Sequence, residues 1–318
     1  MTAARVLVVG AGGLLGGAVV RELGRRRVPV ARARVPWDDA DAAVAAVVSA
    51  AADVHQETGG DWSLAWCAGA GVVGADQAQL DAEVATIARV VDRLSAPDGP
   101  RPRSAFFASS AGAVYAGSDA PPFTERSEPR PLGGYGHAKL RAEAEIARLC
   151  PQVRVVVGRI SNLYGPGQDL SKNQGLVSRL CLSHLLREPV GVYVSLDTLR
   201  DYVYVDDCAA LVVDALDRVD RLAPDEAPSP VVKIIASQQA ASIAHLLGEC
   251  RRVFGHRVLV RMASSNLSAQ QTRDLRLRSV VWPELDRRSM TTLVHGIHAT
   301  TESLRGQLGS FTGRAAAR

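Results

Sequence analysis

The opening segment restricts the fold more than any other stretch of the chain. Arg5-Val6-Leu7-Val8-Val9 is an apolar, β-branched run that stops at Gly10-Ala11-Gly12-Gly13-Leu14-Leu15-Gly16, and a helical pattern follows from Leu14 to residue 25. A strand, a glycine turn and a helix in this order form the first half of a βαβ unit. Glycines at 10, 13 and 16 remove side chains where backbone has to approach a pyrophosphate, whose charge is then met by free amides at the helix N-terminus. The spacing is GxxGxxG, and Gly12 also supplies the shorter GxGxxG variant.

The alternation continues. Strands are predicted over residues 28–35, 63–67, 105–108 and 153–157, with helices over 39–54, over 77–94 and from Tyr135 onward. Such a series argues for a parallel sheet covered on both faces, an α/β, Rossmann-type doubly wound fold. Past about residue 165 the rhythm changes: a helix is predicted over 176–187, a strand over 190–194, a helix over 209–219, and a buried strand over 231–235 that rejoins the main sheet. A final helix is expected over 291–305, with the last dozen residues frayed. The length of 318 residues fits a dinucleotide-binding domain over 1–165 and a smaller α/β lobe over 166–318, mainly for substrate.

Charge and cysteine usage exclude several classes. The excess of Lys+Arg (37) over Asp+Glu (33) is a mild attraction for phosphate esters, and no dense basic run interleaved with aromatics points to nucleic acid. Five scattered cysteines, at 67, 150, 181, 208 and 250, have no metal or dithiol spacing, and His295 with His298 lacks a third ligand, so no metal is expected. No apolar run reaches the roughly 18 residues of a membrane helix, and with a strand already under way at residue 6 a cytoplasmic protein is expected.

Cofactor choice is written at the end of the second strand. A carboxylate there would bond a ribose diol, whereas arginine suits an additional 2′-phosphate. The chain has Arg32-Ala33-Arg34 and no acid until Asp38. NADP(H) is favoured; NAD(H) is the alternative, with these arginines on a solvated surface and Asp38 or Asp39 near the adenine.

Tyr135-Gly136-His137-Ala138-Lys139 is the second informative motif. Residues four apart share a helix face. A phenol with a free pKa of about 10 is a poor base at neutral pH, and an adjacent ammonium stabilises its phenolate enough for proton exchange with a hydroxyl.

The series resembles an extended short-chain dehydrogenase/reductase of the NAD-dependent epimerase/dehydratase type, the group that remodels nucleotide-linked sugars. The likeness also includes Ser109-Ser110-Ala111-Gly112-Ala113-Val114-Tyr115, Arg159 through Pro166 (RISNLYGP) and Arg200-Asp201-Tyr202-Val203-Tyr204-Val205-Asp206-Asp207.

It implies Tyr135 as acid/base, Lys139 on the nicotinamide ribose, and cofactor contacts at Gly10, Gly12, Gly13, Leu15, Gly16, Arg32, Arg34 and Ala68. Relatives carry a serine or threonine three residues before the valine of the VY pair; that place is Ala111 here, and Ser110 takes the role. Asn162 would contact the nucleotide diphosphate or the sugar, Arg200 would pair with phosphate or ribose or alternatively with Asp201, and Tyr193 would stack near the base. Tyr115 is either a pocket wall or a packed aromatic. Gln174, Leu176 and Val177 would form a nucleotide lip, and Arg273, Arg276 and Arg278 either reach a phosphate or line a solvated strand.

Dehydratases of the group add an acidic pair after the serine or threonine, where this chain has Ala111-Gly112-Ala113. What remains is 4-ketoreduction of an NDP-sugar, favoured by the arginines, or 4-epimerisation. Reduction of a non-sugar carbonyl and non-catalytic NADP binding are the rival classes. The family pattern implies a homodimer through residues 77–94 and 135–149.

Overall fold

The computed structural model describes residues 5–69, 75–150, 152–169, 175–223, 226–263 and 272–315, with side chains to 308. In its first part β1 (Arg5–Val9), α1 (Leu14–Arg25), β2 (Val30–Ala33), α2 (Ala40–Thr58), β3 (Trp62–Trp66), α3 (Gln77–Ser95) and β4 (Ser104–Ser110) alternate strictly. The short α4 (Ala111–Val114), then α5 (Gly134–Ala147) and β5 (Arg154–Ile160), complete that series. Beyond it come β6 (Asn162–Tyr164), α6 (Leu176–Leu186), β7 (Val190–Val192), β8 (Leu199–Tyr204), α7 (Val205–Asp220) and β9 (Val231–Ile235). The chain ends with β10 (Ala240–Ser242), α8 (Ile243–Phe254), β11 (Val260–Met262), β12 (Asp274–Leu275) and α9 (Leu293–Ala315).

Six parallel strands lie in the order β2-β1-β3-β4-β5-β9, so the predicted strand at 231–235 does rejoin the sheet, with Val156 opposite Val231. Strand parity divides the core. Val6, Val8, Ala65, Phe106 and Val156 face α1 and α7, while Leu7, Val9, Leu64, Phe107 and Val157 face α2, α3 and α5. With both faces covered, β3 is buried at every position. Each fully buried aliphatic side chain stabilises by about 1.5–3 kcal/mol.

The chain steps from β1 outward to β2 and then crosses to β3 on the other side. That reversal leaves a crevice at the carboxyl ends of β1 and β3, where doubly wound sheets bind ligands. A smaller sheet, β10-β8-β12 with β6 also on β8, and a parallel β7–β11 ribbon stand beside it.

Some boundaries differ from expectation. Helix α7 begins at Val205, not 209, and Asp206 and Asp207 in its first turn complement the positive helix end. Helix α9 runs on to Ala315, through Gly306, Gly309 and Gly313, where fraying was expected, since glycine weakens a helix without stopping it. Helix α8 was not foreseen, although Ser242 caps it at the start and Gly255 at the end, with φ of 75°. In α3 the apolar stripe Leu80, Ile87, Val91 and Leu94 is buried inside the protomer, and its outward face carries Ala78, Ala82, Ala85 and Arg89.

Candidate active site

The glycine turn sits at the crevice. Gly10 has φ of 87°, and a Cβ on it would lie 2.7 Å from the backbone nitrogen of Ala68, at the end of β3. A Cβ on Gly16 would overlap the Gly10 carbonyl, so this glycine lets α1 pack close beneath the turn. Gly12 is different: among the described residues nothing lies within 4 Å of a Cβ built there. The space beside it is open among the described residues, and the first-turn amides of α1, which have no partner within the helix, make this a candidate anion site. Leu15 is buried in the core, so what it offers a ligand is its backbone amide.

A cleft of about 400 Å³ runs on from Gly10, Ala11 and Gly12 to Arg32, Ala33, Arg34, Val35 and Trp37. Arg32 and Arg34 are exposed and form no ion pair among the described residues. Asp39, an alternative adenine neighbour in the sequence, is occupied as the N-cap of α2, accepting from the amides of Asp41 and Ala42. One open-sided glycine, the first-turn amides of a helix and two arginines without an ion pair among the described residues, along one cleft, fit the pyrophosphate and adenosine half of a dinucleotide.

Tyr135 stands in the first turn of α5, and Lys139 follows one turn later. The Lys139 ammonium lies 5.6 Å from the Tyr135 ring centroid and 5.9 Å from that of Phe107. It donates to Glu83 Oε1 at 3.0 Å. Burial pulls the Lys139 pKa down, but the charges of Tyr135, Glu83 and Glu143 outweigh it and leave the amine above its ordinary value.

Residue 136 is glycine because a Cβ there would lie 2.5 Å from the Ala113 carbonyl, which seats the start of α5 against α4. Ser110 caps α4, its Oγ accepting from the Ala113 amide at 3.3 Å, and this leaves its hydroxyl proton free to donate. Ala111 is fully buried in an apolar cluster with Val114, Tyr115, Phe123, Leu275 and Leu277. Tyr115 is likewise a packed aromatic, stacked on Phe123 with its hydroxyl accepting from Arg159 at 2.7 Å.

The β6–β8 pair brings two further residues together. Asn162 is in register with Tyr202, so by parity it shares a face with Arg200. Its Nδ2 donates to the Asp201 carbonyl at 2.8 Å. Arg200 is 8 % exposed, donates to the Leu199 carbonyl at 2.8 Å, and forms no ion pair among the described residues. Burial holds its pKa below the ordinary arginine value. The alternative pairing with Asp201 does not form, because the Asp201 carboxylate accepts from the Ser237 amide and hydroxyl, both at 2.9 Å.

Tyr193 follows β7, half exposed, with its ring over Gly191. Gln174 lies outside the described residues, and Val177 is buried and gives no lip. Arg273 and Arg276 are paired with Asp197 and Asp274, while Arg278 is exposed.

Residues 6–228 match the NAD dependent epimerase/dehydratase family. The chain belongs to this family. Among curated relatives, the dTDP-4-dehydro-6-deoxyglucose reductase of Escherichia coli is 34 % identical over 104 residues, 32 % of this chain and 32 % of the relative. The dTDP-L-rhamnose 4-epimerase of Burkholderia thailandensis is 35 % identical over 103 residues, 31 % and 28 % of the two chains. The matched segment thus spans about a third of each relative. The whole fold is shared with UDP-glucose 4-epimerase from Thermotoga maritima (TM-score 0.77, 19 % identity, 96 % of this chain and 99 % of that one). MoeE5 in complex with UDP-glucose and NAD gives a TM-score of 0.74 at 22 % identity, with the same coverage.

Within this epimerase/dehydratase framework two features escaped the sequence. One is Glu83, which lies in no motif and meets Lys139 only because α3 packs on α5. The other is a buried network in which Glu143 accepts from Ser109 at 2.5 Å and from Arg159 at 2.7 Å, tying α5 to β4 and β5. Their only signal was charge at buried helical spacing. Among the described residues no cluster of three potential ligands could hold a metal, and no helix is long and apolar enough to cross a membrane.

Proposed function

We propose that the chain is an NADP(H)-dependent reductase that delivers hydride to a 4-keto carbon of a nucleotide-linked sugar. The observation that carries the substrate class is Arg200, a buried guanidinium that forms no ion pair among the described residues and shares a sheet face with Asn162; its planar fork matches a diphosphate. The reduced dinucleotide, when bound, supplies the hydride. Gly10, Gly12, Gly13, Gly16, Ala68 and the Leu15 amide hold its pyrophosphate side, Arg32 and Arg34 meet a 2′-phosphate, and Lys139 bonds the nicotinamide ribose.

Tyr135 donates its proton to the carbonyl oxygen as the carbon accepts hydride, and the product is a carbinol. Ser110 donates a hydrogen bond to the same oxygen. Tyr193 covers the base. The likeness to the E. coli reductase supports this direction, and the absence of a carboxylate at Ala111-Gly112-Ala113 weighs against dehydration. The 4-epimerase reading, with retained NAD(H), is favoured by the Burkholderia relative and by the NAD-bound structural neighbour.

Residues 1–165 with the strand at 231–235 would hold the cofactor and most of 166–318 the sugar nucleotide, in the cytoplasm. A homodimer would form through α3 and α5, whose outward Ala78, Ala82, Ala85 and Ala144 permit close helix approach; sedimentation as a monomer at micromolar concentration would exclude it. A thermal-shift panel of NAD, NADP and UDP-, GDP- and dTDP-sugars tests the ligand assignment, since specific binding raises the melting temperature with ligand concentration.

A further inference from the structure

Glu83 supplies the carboxylate nearest the site's lysine. Its Oε1 lies 3.0 Å from Lys139 Nζ, with side-chain exposures of 16 % and 6 %. The approach depends on Gly69 at the end of β3: a Cβ there would stand 3.1 Å from Nζ and 3.5 Å from Glu83 Oε1. From the other sides Lys139 faces the rings of Phe107 on β4 and Tyr135 on α5. Glu143, one turn further along α5, is near enough to act by charge, but its oxygens are engaged by Ser109 and Arg159.

A buried lysine without an anion loses its proton and with it the field that helps a neighbouring phenol. An ammonium has three N–H donors; one on Glu83 leaves two, for the ribose and for the Tyr135 oxygen. We propose that Glu83 is a positioning residue of the active site, whose carboxylate orients Lys139 beside Tyr135 and keeps it an ammonium with or without bound cofactor. This rests on Tyr135 and Lys139 being the proton-handling pair, but its test needs no turnover.

The chain has only three lysines, at 139, 172 and 233. Full-length protein grown on lysine labelled at the ε-carbon therefore gives three signals, assigned by Lys→Arg variants and titrated by NMR. In wild type the Lys139 midpoint is expected at or above the ordinary lysine value. Removing a negative charge lowers it, so Glu83→Gln is expected to drop the midpoint by about one pH unit or more, and Glu83→Asp to recover most of that. The Lys233 signal, from a side chain buried against Asp286, should stay in place and reports that the variant is folded.

Affinity for NADPH, read by its fluorescence, should weaken in Glu83→Gln as pH rises through the lowered midpoint while wild type stays level. A wild-type midpoint below the ordinary value overturns the proposal even if the variants do not fold, as does a folded Glu83→Gln with an unmoved midpoint. Failure of both nicotinamide cofactors to bind would instead sink the functional reading and leave the Lys139 titration intact.

Discussion

Arg200 and Asp201 adjoin in β8 and leave it on opposite faces. Asp201 is held by Ser237, and Arg200 forms no ion pair among the described residues, with Asp274 acting on it only by charge. A buried cation in that state costs stability, a cost that binding of an anionic ligand would offset. Arg200→Leu is expected to raise the melting temperature while weakening UDP or dTDP binding about 10- to 100-fold. Calorimetric melting and titration on the same variant check both halves, and a loss of stability with affinity unchanged would assign Arg200 to structure alone.

Two glycines of one turn should fail differently. Gly16→Ala forces a methyl into the Gly10 carbonyl, and a stability loss of about 1–3 kcal/mol is expected. Gly12→Ala meets no atom of the described residues, so its melting curve should match wild type while dinucleotide affinity falls. Denaturant melts beside fluorescence titrations separate the two.

Arg32 and Arg34 are exposed at the end of β2, free to meet a 2′-phosphate. Replacing both with alanine is expected to weaken NADPH about tenfold or more and to change NADH affinity little, because only the former carries the additional phosphate. Equal effects on the two cofactors would show these arginines to be surface charge.

The hydroxyl pattern at the end of β4 makes a further distinction. Ser110→Ala is expected to slow reduction about tenfold through loss of one hydrogen bond to the reacting oxygen. Ala111→Ser, which restores the more usual family residue, places a hydroxyl in an apolar cluster and should cost about 1–3 kcal/mol of stability without raising the rate. A rate gain in Ala111→Ser would mean that position 111 reaches the substrate.

The first and fourth strands of the main sheet were legible because they are short apolar runs closed by glycine or serine, as at Val9-Gly10 and Ser109-Ser110. The glycine turn and the Tyr135–Lys139 spacing could be read for the same reason: both are local. What escaped was non-local. Short strands such as β10 and β12 gain their identity only by pairing with β8, and Glu83 becomes part of the site only through the packing of two helices. The buried stripe of α3 shows the converse limit, since periodicity reveals that one face is apolar and not whether sheet or partner covers it.

Reduction of a dTDP-4-dehydro-6-deoxyhexose by NADPH, with wild type and Tyr135→Phe side by side, tests the assignment most directly. The wild type should consume NADPH in step with loss of the ketone, and Tyr135→Phe should bind both ligands yet turn over about 10²- to 10⁴-fold more slowly. Turnover by Tyr135→Phe at the wild-type rate would contradict the role given to this tyrosine.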